Sequence, residues 1–385
     1  MIRIRDISLA PGHDSAELVR AAARQLRIRE TEIKQLDIRR RSVDARKKND
    51  VRLVYTVDVL VKGREDKILK MAHCPKAAVA SDYTYAVPQP ARLPEQRPIV
   101  AGFGPAGMFA ALVLAMAGLR PIVLERGLDA AQRKAKVEAF WAGGELDPEC
   151  NVQFGEGGAG TFSDGKLNTG TKNERIGWVL EQFAEAGAGA EILFDAKPHI
   201  GTDELVTVVQ NLREKILHYG GEIRFGTRLT GIEAENGCIT AVRVQSADSE
   251  TVLPASRVLL AIGHSARDTF EALHSAGVPM EPKPFSMGVR IEHPQRLVNE
   301  SQYGPFADAP GLGAAVGLLG MFCGSLNCPI SAIFLGVEMF GGANIQYYAI
   351  AAAVSFMLSA NFGLYKEQKI VYSKIRAEFI NRYTD

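Results

Sequence analysis

The sequence predicts an α/β protein built in three parts, and three observations support this fold class. The first 86 residues alternate apolar and charged side chains, a glycine-rich strand–loop–helix pattern begins at residue 99, and charged residues almost disappear after Asp308. We therefore expect a small α+β module at 1–86, a proline-rich linker at 87–98, a larger α/β domain at 99–312 and an apolar, all-α tail at 313–385.

The N-terminal module shows both strand and helix periodicity. Ile2–Leu9 alternates like a strand, and Asp14 or Ser15 can cap the amphipathic helix that follows. Residues 33–41 and 51–61 are two further predicted strands joined by a charged turn. This order is similar to the ferredoxin-like, split βαβ pattern.

Charge and cysteine content restrict the class of protein. The net charge is only +1, although residues 1–70 hold 18 Lys and Arg against 11 Asp and Glu. Such a patch could meet nucleic acid or anionic lipid, but aromatic residues are almost absent from it, so we favour a solvated face and predict no nucleic-acid partner. The five cysteines include no CxxC pair, which indicates a reducing compartment; no metal site is predicted.

The glycine loop after the next strand has the spacing of a dinucleotide site. Gly102, Gly104 and Gly107 follow the apolar strand Ile99–Ala101 and open a helix. The first glycine permits a tight turn, the second lets a pyrophosphate approach the backbone, and the third allows the helix to pack closely. Pro105 suits the first helical turn, whose free N–H groups favour phosphate.

An acidic residue completes the pattern. Glu125 ends the next strand, residues 121–124, and lies 18 positions after Gly107, where it can accept hydrogen bonds from ribose hydroxyls. Strand, loop, helix, strand and acid occur in the expected order, which favours dinucleotide binding over an ordinary glycine turn. The loop alone does not distinguish FAD from NAD.

Two later segments favour FAD. Residues 151–167 form a second glycine-rich stretch whose backbone can pass close to a flat ring system, with Thr161, Ser163, Asp164 and Lys166 as polar groups. Residues 258–268 form an apolar strand that ends in Ala-Ile-Gly and a polar turn.

Two of these motifs carry a family resemblance. FGEGGAGTFSDGKL at 154–167 and KPFSMGVRIEHPQ at 283–295 resemble the uncharacterised FAD-dependent dehydrogenases of bacteria, within the glutathione-reductase-like flavoproteins, and the resemblance extends to about residue 314. It implies a Rossmann-like FAD-binding domain. The residues that it implies as cofactor-binding are Gly102, Gly104, Pro105, Ala106, Gly107, Glu125, Arg126, Gly158, Gly160, Thr161, Ala261 and Gly263.

The chemistry expected of such a site is hydride transfer through the flavin, with the protein orienting and tuning the ring. Lys166 and Asp164 are the predicted catalytic residues, and His264 and His293 are further acid–base candidates, although a capping or surface role is the alternative for each. Lys166 could stabilise an anionic reduced flavin. We expect a small-molecule substrate, NAD(P)H as a possible electron donor, and a cytoplasmic location for 1–312.

The tail has a different character. Between residues 309 and 365 the sequence has a single charged residue, Glu338, and the apolar stretches 312–340 and 347–364 are each long enough to span a bilayer. A soluble core helix is the alternative. The tail therefore predicts transmembrane-type helices and a membrane association if it is a genuine part of the protein.

Residues 316–385 resemble the last four helices of the ClC chloride channel and antiporter family. The resemblance implies that Tyr372 is the tyrosine that hydrogen-bonds chloride. The earlier helices and the gating-glutamate segment are missing, so we expect chloride binding only with those parts and no conduction by this chain alone. We favour a chimera of two reading frames, because both partners are truncated at the same place and the flavoprotein domain is expected to be incomplete. A membrane-tethered fusion and a misinterpreted natural ending are the alternatives.

Overall fold

The computed structural model describes residues 1–47, 49–81, 84–162, 165–167, 169–247, 249–282, 294–307, 369–372 and 379–383. The chain divides into two compact units. The first comprises residues 1–80 and 281–385, and the second comprises residues 81–280.

The N-terminal part of the first unit is a four-stranded antiparallel sheet with two helices. Its elements are β1 (Ile2–Leu9), α1 (Ser15–Leu26), β2 (Ile33–Asp44), β3 (Arg52–Val61), α2 (Glu65–Ala72) and β4 (Ala77–Val79). The strand order β2-β3-β1-β4 is that of the predicted split βαβ pattern. Asp14 caps α1 by accepting a 2.6 Å hydrogen bond from the Glu17 amide.

Asp58 is an unusual feature of this sheet because it is a fully buried carboxylate on a central strand. Arg3 donates two hydrogen bonds of 2.8 Å to it, and Arg39 donates a third of the same length. The basic face expected from the composition is therefore partly neutralised, since a buried carboxylate holds two of its arginines.

The second unit is built on a parallel sheet. Its elements are β5 (Ile99–Ala101), α3 (Pro105–Met116), β6 (Ile122–Leu124), α4 (Ala130–Trp141), α5 (Arg175–Glu185), α6 (Thr202–His218), β7 (Glu222–Arg224), β8 (Thr227–Glu235), β9 (Cys238–Ser246), β10 (Ser249–Pro254), β11 (Val258–Leu260) and α7 (Arg267–Ser275). The strand order of the parallel sheet is β11-β5-β6-β7. The strands β8, β9 and β10, which follow β7 and precede β11 in the sequence, form a separate antiparallel sheet.

This strand order fixes where a ligand can bind. The chain proceeds outward from β5 to β6 and β7 and then returns to the other side of β5 with β11. The point between β5 and β11 is therefore a topological switch point, where ligands of open α/β sheets bind beyond the carboxyl ends of the strands. α3 and α6 pack on the sheet through a core that includes Val100, Leu112 and Leu212, all fully buried.

The described residues 294–307 lie in the first unit, although the sequence analysis places them in the domain at 99–312. Helix α8 (Gln295–Tyr303) belongs to the first unit, because Tyr303 is 3% exposed and packs into the same core as Ile2 and Val57. Burial raises the pKa of this tyrosine. This packing could not be predicted from the sequence, since a single aromatic residue on a polar helix has no periodicity.

Only two short segments of the tail are described, and they correct the all-α prediction for those residues. β12 (Lys369–Tyr372) and β13 (Phe379–Tyr383) pair as antiparallel strands. Both are rich in β-branched and aromatic residues, which favour strands. Residues 308–368, including both predicted membrane spans, lie outside the described residues. Among the helices that the structure does describe, none has the length and apolar character needed to cross a bilayer.

Candidate dinucleotide-binding site

A cavity of about 530 Å³ opens at the carboxyl edge of the parallel sheet, at the switch point. The ends of β5, β6 and β11 and the second glycine-rich stretch enclose it. Its lining includes residues 101–106, 124–126, 153–155, 158–160, 227–229 and 260–266. The volume is within the range of small-molecule and cofactor sites, roughly 300–1,000 Å³.

The three glycines of the loop have different structural roles. Gly102 has φ +100°, and a Cβ there would lie 2.3 Å from the Ala261 carbonyl oxygen. A Cβ on Gly107 would lie 1.9 Å from the Gly102 carbonyl oxygen, so this glycine lets α3 pack against the loop. A Cβ on Gly104 would meet only the Gly158 Cα, at 3.6 Å. The fold requires the first and third glycines, whereas the second leaves open the space above the loop in which a pyrophosphate would lie, here called the cradle.

The start of α3 provides an anion-binding surface. Pro105 is the first residue of the helix, and the first backbone bond to the loop is donated by the Met108 amide to the Gly104 carbonyl, at 2.9 Å. Within the described chain, the amides of Ala106 and Gly107 donate to no protein acceptor. Free amides at the positive end of a helix suit a pyrophosphate.

Glu125 holds the site together. Its side chain accepts hydrogen bonds from three backbone amides, those of Phe103 at 2.7 Å, Gly127 at 2.9 Å and Gly155 at 2.8 Å. The amides of Gly127 and Gly155 share Oε1, whereas Oε2 receives only the amide of Phe103. Since each carboxylate oxygen can accept two bonds, Oε2 retains capacity for a ribose hydroxyl.

A buried arginine shapes the second glycine-rich stretch. Arg133 on α4 is fully buried and donates to the carbonyls of Asn151 at 2.9 Å, Val152 at 2.9 Å and Glu156 at 2.6 Å. Burial lowers its pKa to about 10, and Coulombic attraction to Glu125, Cys150 and Glu156 opposes that shift. The stretch is thereby wrapped around one guanidinium.

The wrapped stretch reaches the first glycine loop directly. The Gly157 amide donates to the Phe103 carbonyl at 2.9 Å. A Cβ on Gly158 would come within 2.9 Å of the Gly104 Cα, so glycine is required for this approach. The two glycine-rich segments therefore form adjacent walls of one cavity.

Four charged side chains form a network at one rim. Arg126 donates to Asp268 at 2.5 Å and lies 3.4 Å from Glu149, while Arg228 bonds Glu149 at 2.8 Å and Asp268 at 3.2 Å. The Arg126 guanidinium also lies 4.5 Å from the ring centroid of Phe154. Burial would raise the pKa of Asp268, but its bond to Arg126 and the charges of both arginines outweigh burial and lower it.

A second cavity of about 620 Å³ adjoins the first and shares Pro105 and Gly160 with it. Thr161 and Lys166 line this second cavity and are absent from the lining of the first. Thr161 is buried and donates to the Glu156 carbonyl at 3.3 Å. The second cavity is thus the location of the one predicted catalytic residue that the structure describes.

Most predicted cofactor residues come together. Those that line the first cavity are Gly102, Gly104, Pro105, Ala106, Glu125, Arg126, Gly158, Gly160, Ala261 and Gly263. Gly107 lies behind the loop as a packing residue. Asp164 and His293 lie outside the described residues, as does the side chain of Tyr372. The exposed His264 is at the wall of the first cavity.

Several residues of the site had no distinguishing signal in the sequence. Arg133 has the pattern of a surface residue on a polar helix, and its burial depends on carbonyls 18 to 23 positions away. Arg228 enters the rim from the antiparallel sheet. Glu156 falls inside the recognised glycine-rich motif, and that motif was the available signal for it.

Two domain families match parts of the chain. Residues 1–60 match a domain of unknown function, DUF8436, and residues 284–319 match a family described as "FAD-dependent protein, C-terminal domain-like". The second match supports an FAD-dependent protein at a general level. Only residues 294–307 of this match lie in the described part of the chain.

Among curated proteins, the chain is 44% identical over 315 residues to an uncharacterized protein of Clostridium beijerinckii. The match covers 82% of this chain and 58% of that protein, so the chain spans little more than half of the relative's length. A shorter match, 33% identical over 64 residues, relates it to a chloride/fluoride channel protein of Pseudomonas syringae pv. tomato and covers 17% of this chain and 14% of that protein.

Solved structures resemble the chain more distantly. THI4 of Thermovibrio ammonificans is 16% identical with a TM-score of 0.33, and the match covers 48% of this chain and 64% of that chain. The flavin-dependent monooxygenase PieE, solved with FAD and substrate, is 15% identical with a TM-score of 0.28, covering 48% and 32% of the two chains.

Proposed function

We propose that the first cavity binds FAD and that the chain is part of an FAD-dependent oxidoreductase. The observation that carries the proposal is the glycine loop at the switch point. In the described chain, the amides of Ala106 and Gly107 in its first helical turn have no protein acceptor, and the Glu125 carboxylate binds the adjacent Phe103 amide. FAD supplies hydride-transfer chemistry when bound.

The described residues suit each part of the ADP half of the cofactor. The loop and the start of α3 hold a pyrophosphate, since glycine at 104 leaves the cradle open and the helix end is positive. Glu125 accepts one ribose hydroxyl through the free capacity of Oε2. At the rim, the guanidinium of Arg126 and the ring of Phe154 provide planar groups on which an adenine can stack.

FAD is favoured over a nicotinamide dinucleotide by two features. The second glycine-rich stretch extends the lining beyond the ADP cradle, and the chain matches the FAD-dependent family over 284–319. Lys166 is the proposed polarising group near the flavin, and NAD(P)H is the proposed electron donor. Both assignments, and the small-molecule substrate, belong to the proposal.

The test uses the full chain and a matched pair of glycine variants. Purified protein reconstituted with FAD is expected to retain flavin absorbance after gel filtration. Gly104→Ala should lose that absorbance and keep its far-UV circular dichroism, because its methyl group meets no protein atom closer than 3.6 Å yet occupies the pyrophosphate approach. Gly177→Ala, on the exposed face of α5 with nothing within 4 Å, is the control and should retain the flavin.

Two results would overturn the proposal. If the parent chain does not retain FAD, although its circular dichroism matches a folded α/β protein, the proposal that it binds FAD is wrong. If the Gly104→Ala variant retains as much FAD as the parent chain, the pyrophosphate does not bind at the glycine loop as proposed.

A further inference from the structure

The apolar face of α5 is incompletely covered. Ile176, Val179, Leu180 and Phe183 stand at the i, i+3, i+4 and i+7 spacing of a core-facing stripe, yet each is only half-buried. The one buried side chain of the helix is polar Gln182, which accepts a 2.7 Å hydrogen bond from Lys215. The four side chains therefore keep some accessible apolar surface, and apolar surface left in water is unfavourable.

The space in front of the stripe is the second cavity. Its opposite wall is formed by Met108 and Phe109 of α3 and by Leu205 and Val209 of α6. Met108, Leu205 and Val209 are buried, so this wall is apolar. The cavity is therefore an apolar chamber lined by residues of three helices.

The described residues that line the cavity carry charge of one sign. Lys166 and Arg175 are its charged lining residues, and no Asp or Glu occurs among the described residues that line it. Arg175 is exposed at the start of α5, and its guanidinium has no acidic partner in the described chain. Thr161, Thr169 and Asn173 add hydrogen-bonding groups to the lining. This arrangement complements an anion at the mouth of an apolar chamber.

We propose that the second cavity binds a small organic carboxylate with an apolar body, whose carboxylate lies near Arg175 and whose body contacts the α5 stripe. Pro105 and Gly160 line both cavities, so the occupant would lie next to the cofactor. This inference names a substrate class for the proposed function. It depends on the proposed function only in taking the ligand of the first cavity to be FAD.

Trp178 is a natural reporter for this cavity. Its ring centroid is 6.0 Å from that of Phe109, which lines the chamber, and it precedes the lining residue Val179. The chain has two tryptophans, and the other, Trp141, is 63% exposed. A full-length Trp141→Phe variant therefore has Trp178 as its single indole.

The experiment titrates this variant with cyclohexanecarboxylate and with the isosteric neutral cyclohexanecarboxamide, with and without FAD. We expect saturable fluorescence changes, with the carboxylate binding about tenfold more tightly, because a charge-assisted pair to arginine replaces a neutral hydrogen bond. Arg175→Gln should remove that preference and leave amide binding unchanged. Lys172→Gln, which removes an exposed cation outside the lining, should leave both affinities unchanged.

A second variant tests the chamber itself. Val179→Phe adds volume to the half-buried stripe and should abolish binding of both probes, while thermal unfolding confirms that the protein is folded. If it does not fold, the Arg175→Gln comparison decides the proposal.

The outcomes separate the two proposals. No saturable response up to the solubility limit, as when another part of the protein fills the chamber, overturns the inference and leaves FAD binding intact. Competition between FAD and the probe also overturns it, since the chamber would then be part of the cofactor site. Probe binding with the expected charge preference in a chain that retains no FAD supports the inference and removes the proposed function.

Discussion

At the scale of single residues, Glu125 stabilises the local backbone in addition to its predicted contact with ribose. Its carboxylate joins the first glycine loop, the end of β6 and the second glycine-rich stretch through three amide donors. The proposed ligand contact and the local fold therefore depend on the same 4%-exposed group. Such a residue cannot be changed without affecting both.

We expect Glu125→Gln to lower the free energy of unfolding by about 1–3 kcal/mol, because the amide group turns a donor toward at least one buried backbone N–H. Chemical denaturation measures the change. Glu222→Gln is the control, since its ion pairs with Arg97 and Arg224 are half-exposed and contribute at most about 1 kcal/mol. Equal, small effects for both variants would contradict the assigned role.

Glu156 leads to a prediction about pH. It is fully buried; Oε2 accepts from the Ala130 amide at 2.7 Å and from Arg213 at 2.9 Å, whereas Oε1 has no partner among the described residues. Burial raises its pKa, against the effect of those two donors. The folded state therefore binds the proton more tightly than the unfolded chain, whose Glu pKa is about 4.3. Its contribution to stability is complete below that value and is lost as pH rises through the folded pKa.

Glu156→Gln should become progressively more stable relative to the parent as pH rises from about 4 toward neutrality, because a glutamine does not ionise. Urea unfolding across that range measures the difference. Glu222→Gln should change in the opposite direction: burial raises the pKa of Glu222, but Arg224 and Arg97 outweigh it and lower the pKa. A flat difference for Glu156→Gln would contradict the raised pKa.

The residue scale also shows what sequence spacing can and cannot predict. Gly102 and Gly107 were assigned steric roles from spacing alone, and the close approaches to Ala261 and Gly102 explain those roles. Arg133 could not be found in this way, because its acceptors are backbone carbonyls of a loop. Every residue has a backbone carbonyl group, so the sequence does not indicate which carbonyls will bind an arginine.

At the scale of elements, β1, α1, β5 and α3 were predicted within a few residues, whereas α5 was not predicted. The periodicity of β1 and α1 is clear, whereas β5 and α3 were recognised as a continuous apolar strand and a helix on either side of the glycine loop. α4 was not predicted, since it buries Ala130, Arg133 and Val137 and therefore has no apolar stripe. The described tail strands were predicted as helix from the resemblance of residues 316–385 to channel helices, although their β-branched and aromatic residues favour strands.

The N-cap of α4 gives an element-scale prediction. Asp129 accepts hydrogen bonds from the amides of Ala131 at 3.0 Å and Gln132 at 3.1 Å. Asp129→Ala should lower the free energy of unfolding by about 1 kcal/mol. Asp129→Asn keeps an acceptor and should lose little. If both variants lose the same amount, charge rather than capping is responsible.

At the scale of the whole molecule, each unit contains its own core. The first unit buries Ile2, Val57 and Tyr303 together, and the second buries Val100 and Leu212 in a separate cluster. A ligand held only by the second unit should therefore stabilise that unit first. Ligand binding at a hundredfold excess over Kd adds about 2.7 kcal/mol to the state that binds.

Hydrogen exchange of the full chain with and without FAD resolves this effect by unit. We expect slower exchange in β5, α3 and residues 153–160, which line the proposed cofactor cavity, and unchanged exchange in β1 and α1. The local amides should gain most, because opening of the loop requires release of the pyrophosphate. Gly104→Ala protein is the control and should show no protection at the same FAD concentration. Protection of β1 and α1 equal to that of β5 would mean that the two units open as one, and protection confined to them would remove FAD from the assigned cavity.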